Sequence, residues 1–204
     1  MEEHKGIFQR IKSALLGAEM EAPTPKISKS SNAPEVDVRF AENFTDSGGY
    51  FVFCESNIEL IENLKLLMQE KSWDCLFSDD QHLDRILRYS QVPFKSLLGL
   101  SECQSRITPC EGLIGNQGHI MMSARTDKGR QLAACPKAHI VVAYTSQLAF
   151  SPSEAKVNLE KLSGLKITTS FTFLGGPNSS TDSKKIDSIS ACTPSELYVF
   201  LVED

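Results

Sequence analysis

A run of apolar and β-branched residues, Ile167-Thr-Thr-Ser-Phe-Thr-Phe173, leads into Leu174-Gly-Gly-Pro-Asn-Ser-Ser-Thr-Asp182. A strand that ends in glycines and presents N–H groups where a helix begins suits an anion. Gly175 and Gly176 permit close approach of the backbone, while Asn178, Ser179, Ser180 and Thr181 offer donors or caps. Asp182 closes the loop, where it can hold a ligand hydroxyl or complement the positive end of a short helix. Lys184 and Lys185 follow and can grip the same anion or stand in solvent. Without a ligand, the same residues make a capped turn.

A second group lies in the middle of the chain. Glu111 sits in an apolar run, where burial would raise its pKa and fit it for acid or base work; pairing with an arginine or a backbone N–H is the simpler role. Asn116 and Gln117, between two glycines, can orient a ligand carbonyl or simply make a turn. His119 and His139 both fall in strand-like runs, as proton shuttles or as hydrogen-bonded core residues. Glu111 and His119 are the candidate acid–base pair. Asn116, His139 and the residues of the glycine loop are the candidate ligand contacts.

The elements that must position these residues alternate. The spacing of Ile7, Ile11 and Leu15 predicts a helix over residues 4–18, followed by a Pro/Ser/Lys-rich tether to residue 34. This N-terminal arm is set apart from a main domain over 35–204. In that domain Val36–Phe44 reads as a helix closed by Gly48-Gly49, then Tyr50–Cys54 as a strand and Ile58–Gln69 as a helix. A strand at Trp73–Phe77 and a helix at Asp80–Tyr89 follow, which implies right-handed crossovers and a parallel sheet. Two short strands, Cys110–Ile114 and His119–Ala124, flank the turn Gly115-Asn-Gln-Gly118 and must run antiparallel. Ala138–Tyr144 is the strongest apolar strand, Ser151-Pro152 opens a helix, and Glu196–Val202 is the last strand. The sum is a three-layer α/β/α sandwich with a mixed sheet.

Composition narrows the function. A chain of 204 residues with 41% hydrophobic content builds a full core without staples. A net charge of −5, with no basic run longer than two residues, argues against nucleic acid as partner. The six cysteines form no C-x-x-C pair, so no metal or iron–sulfur site and no bound cofactor is expected; they read as reduced thiols of a cytoplasmic protein. No membrane span is expected either. P-loop, dinucleotide and nucleophile-elbow motifs are all missing.

Three segments together resemble the LUD-domain family, in its lactate utilization protein C branch. They are Ile107-Thr-Pro-Cys-Glu-Gly-Leu-Ile-Gly-Asn-Gln-Gly-His-Ile120, Ala134-Cys-Pro-Lys-Ala-His-Ile-Val-Val142, and Gly176-Pro-Asn-Ser-Ser-Thr-Asp182 with Leu197–Leu201 as closing strand. The resemblance spans residues 37–204. It implies a Rossmann-like fold similar to the sugar-phosphate isomerases and CoA-transferases. It also implies a part in the oxidation of L-lactate to pyruvate beside iron–sulfur partner subunits. Pro136, His139, Gly176, Pro177 and Asp182 match the family pattern, but Asn116 and Gln117 stand where it has Glu and Thr. An amide replaces a carboxylate there, so whether the chain itself catalyses is left open. Two functions follow as expectations. One is an accessory component of lactate (2-hydroxy acid) oxidation, binding a carboxylate or a partner through the Gly-Pro loop. The other is a free-standing isomerase- or transferase-like enzyme on a small phosphorylated or CoA-linked carboxylate. A homo-oligomer is compatible with both.

Overall fold

The computed structural model describes residues 36–96, 102–123, 137–164, 166, 170–178 and 194–204. The predicted arm and tether therefore lie outside the described residues. Ten strands and four α-helices are described: α1 (Val36–Asp46), β1 (Tyr50–Cys54), α2 (Asn57–Lys71), β2 (Leu76–Ser78), α3 (Gln81–Tyr89), β3 (Phe94–Lys95), β4 (Ser105–Pro109), β5 (Gly112–Ile114), β6 (His119–Ser123), β7 (Ala138–Tyr144), β8 (Leu148–Ala149), α4 (Pro152–Ser163), β9 (Phe171–Leu174) and β10 (Glu196–Val202).

Local chemistry sets the helix ends. Ser56, Asp80 and Ser151 each accept a backbone N–H at the start of α2, α3 and α4, and Pro152 fills the first turn of α4 where no N–H is needed. Gly164 then ends α4 in the left-handed region.

The fold is the expected α/β sandwich, with its mixed pairing divided between two sheets. The larger has the order β1-β10-β7-β4-β2-β3, and every pair in it is parallel. The smaller, β8-β5-β6-β9, holds the antiparallel pairs. On one face of the large sheet, Leu60, Leu64, Leu83 and Leu87 of α2 and α3 pack on Ile107, Ile140, Val142 and Phe200. On the other, Phe40 and Phe44 of α1 and Leu113 and Ile120 of the small sheet pack on Val141, Ala143, Val199 and Leu201. The helix α4 covers the far side of the small sheet through Ala155, against Ile114 and Met121.

This layering fixes a reversal in the chain. The connections leaving β1 and β2 cross the α2/α3 face, and β2 leads outward to the edge strand β3. From β4 onward the described connecting elements, the small sheet and α4, lie on the opposite face, and the strands step back toward β1. Neighbours β2 and β4 are thus left in opposite directions, and in open α/β sheets ligands bind at such a point, beyond the carboxyl ends of the strands.

Candidate functional site

Strand β4 was not foreseen from the sequence, and it carries the most unusual side chain of the core. Alternation sends Ile107 to the α2/α3 face and Arg106 and Thr108 to the other. The parallel register aligns Phe77, Arg106 and His139 in one row across β2, β4 and β7. Arg106 and His139 are 0% exposed and Thr108 is 2% exposed. A guanidinium, an imidazole and a hydroxyl therefore share a sheet face whose neighbouring positions are apolar.

The guanidinium reaches back across the reversal. Its Nη2 lies 3.1 Å from Asp79 Oδ2, just after β2, and its centre stands 5.8 Å from the Phe77 ring. Adjacent Asp80 does different work: its carboxylate accepts the N–H groups of His82 and Leu83 and caps α3. The cap of α3 thereby fixes where Asp79 stands. Among the described residues, Arg106 Nε and Nη1 have no acceptor. Unmet donors on a buried charge cost more than the average hydrogen bond returns, so such a group in a native core calls for an explanation.

His139 completes the cluster. Its Nε2 lies 2.8 Å from Thr108 Oγ1, while Nδ1 has no partner among the described residues. Burial, and then the nearby Arg106 charge, pull its pKa down to about 3. The ring is therefore neutral near pH 7, able to donate from one nitrogen and accept at the other.

The residues singled out in the sequence fall in several places. Glu111 is half-buried just beyond β4, its N–H donating to Met121 O at 2.8 Å. His119 opens β6, half-buried, with burial lowering its pKa. The hairpin pairs Ile114 with His119 and Gly112 with Met121, so Glu111 and His119 stand at opposite ends, about 10 Å apart along the strands. The structure does not bring them together. Asn116 is exposed in a turn whose backbone is tied to β8 and α1: Gly115 N–H donates to Ala149 O, Asn116 N–H to Phe150 O, and Asn43 Nδ2 to Gly115 O.

The Gly-Pro loop is also anchored, on Ser47 just past the end of α1. Gly175 and Gly176 are buried; Gly176 N–H donates to Ser47 Oγ at 3.1 Å and Asn178 N–H to Ser47 O at 2.8 Å. A Cβ at Gly176 would collide with the Ser47 carbonyl, which accounts for glycine there. Two of the N–H groups expected to face an anion are thus engaged by Ser47. Ser179, Ser180, Thr181 and Asp182 lie outside the described residues, as does Pro136. Of the predicted ligand contacts among the described residues, His139 alone joins the buried polar cluster. Its partner Arg106 was missed, although β-branched Ile107 and Thr108, bounded by Pro109, gave a strand signal around it.

Among the described residues no three His, Cys, Asp or Glu side chains converge as metal ligands, and no helix is long and apolar enough to cross a membrane. No curated protein matches the chain. A solved structure of a DUF162 family protein from Deinococcus radiodurans is similar, with TM-score 0.59 and 19% identity over 82% of this chain and 96% of that one. At that identity the likeness speaks for the fold. The LUD domain matches residues 99–202, just over half the chain, a span that takes in β4 to β10 with Arg106, Thr108 and His139. The chain belongs to the LUD-domain family.

Proposed function

We propose that this protein is a component of the oxidation of L-lactate, or a similar 2-hydroxy acid, to pyruvate, working in the cytoplasm beside iron–sulfur proteins that carry the electrons. The observation that carries the reading is the LUD-domain match over residues 99–202, which contains the Pro136-Lys-Ala-His139 strand entry and the Gly176-Pro177 loop. The lactate utilization protein C branch is favoured by the order of those segments. The separation of Glu111 from His119 also favours an accessory role over a free-standing enzyme built on that pair.

Deleting the gene in its native host tests this. Growth on L-lactate should fail while growth on pyruvate continues, and the tagged chain from lactate-fed cells should co-purify with an iron–sulfur protein. Unimpaired growth on lactate would rule the role out.

A further inference from the structure

We infer that the buried face formed by Arg106, Thr108 and His139 is a binding site for a small monocarboxylate bearing an oxygen on the adjacent carbon. The argument begins with charge. Arg106 already faces one carboxylate, Asp79, 3.1 Å from Nη2, so the pair is close to neutral. A monocarboxylate adds one negative charge to that neutral pair and a phosphate dianion adds two, so the dianion carries the larger desolvation cost in a site screened from water.

Hydrogen bonding points the same way. Arg106 Nε and Nη1 lack acceptors among the described residues, and a carboxylate supplies acceptors only. On the next strand, at the same register, His139 presents Nδ1 without a partner, and Thr108 Oγ1 holds the ring through Nε2. A hydroxyl next to the ligand's carboxylate would meet that nitrogen in either tautomer, and a carbonyl oxygen would accept from it when Nδ1 carries the proton. Thr108 acts here as a positioning residue. The Phe77 ring lines the site beside the guanidinium. Asp79, whose side chain is 16% exposed, is the outer member of the cluster.

The site does not depend on the lactate reading; it deepens that reading, because 2-hydroxy and 2-oxo acids fit the donor set. The test is calorimetric titration of the full chain with L-lactate, pyruvate, acetate and phosphate, for wild type, Arg106→Gln and Thr108→Val. Pyruvate or lactate should bind saturably, acetate more weakly and phosphate not at all. Both variants should raise Kd at least about tenfold, the loss expected for one charge-assisted or ring-orienting hydrogen bond. The imidazole 15N signal of His139 Nδ1 should move on ligand addition. If Arg106→Gln does not fold, Thr108→Val with unchanged Tm decides. Absence of monocarboxylate binding by the folded wild type, equal binding of phosphate, or unchanged affinity in the folded variants would overturn the assignment. Binding combined with normal lactate growth of the deletion strain would leave the site standing and remove the lactate role. No binding with lost growth would do the reverse.

Discussion

Arg106 and Asp79 join, through a 3.1 Å ion pair, the two neighbouring strands from which the chain departs in opposite directions. The arginine is wholly buried and the aspartate sits at the rim, so the carboxylate is the arginine's principal neutralising partner among the described residues.

Removing that carboxylate should therefore be costly. Asp79→Asn leaves a buried guanidinium without its counter-charge, and a loss of about 3–5 kcal/mol in urea unfolding is expected. Asp80→Asn should cost far less, because an asparagine still caps α3. Equal losses for the two variants would show that the ion pair contributes nothing beyond the cap.

His139 should make the fold sensitive to acid. Its folded pKa is near 3 and its unfolded value near 6.5, so the unfolded chain takes up the proton first as pH falls. Stability conferred by the neutral ring is intact above pH 6.5 and declines steadily below it; between pH 7 and pH 5 the decline amounts to about 2 kcal/mol. His119, lowered in the same direction, adds to the trend. In His139→Gln the slope of stability against pH over this range should flatten, measured by chemical unfolding at each pH.

Two glycines with similar positive φ separate strain from collision. Gly118 has φ +63° and a Cβ there would stand 2.5 Å from Phe44 N, whereas Gly164 has φ +64° with nothing within 4 Å among the described residues. Gly164→Ala should cost about 1 kcal/mol, the penalty of the left-handed conformation alone. Gly118→Ala should cost clearly more, since the hairpin turn would have to move off α1. Thermal unfolding of the pair measures the difference.

Cys75 and Cys103 hold their sulfurs 2.9 Å apart where β2 and β4 begin, and both are buried. Oxidation with excess diamide should join them, seen as a loss of two mass units (about 2 Da) and as protection of both from alkylation. Burial and the neighbouring thiol push Cys103 up to about 12, so the reaction should be slow at neutral pH and faster at high pH. Labelling of Cys75 that survives the treatment would show that the geometry is not one that closes.

Much of this architecture was legible in the residue order. Ser151-Pro152 marked the start of α4, Gly48-Gly49 the end of α1, and Gly115-Asn-Gln-Gly118 the hairpin, because each turn needs a particular backbone and few residues supply it. The hairpin register was equally readable: if Ile114 faces His119, Glu111 is three positions away from it. Strand β4 was hidden for a physical reason. Ser105-Arg-Ile-Thr-Pro109 holds one fully apolar side chain among its first four residues, and an arginine ordinarily signals solvent. The side chain that breaks the apolar rule is the one that defines the candidate site. Local periodicity could not reveal it, because its surroundings come from β2 and β7, 27 or more residues away in the chain.

The insertion of β10 between β1 and β7 has a consequence for how the protein is made. Among the described residues strand β1 pairs with β10 alone in the large sheet, so the first described strand to leave the ribosome waits for the last described one before it gains that hydrogen-bonded neighbour. Until then Phe51 and Cys54, buried at the end of folding, belong to an unpaired strand edge. Assembly is therefore a high-contact-order process, slow relative to a helical bundle of the same length, and its vulnerable interval is the time between synthesis of the two strands.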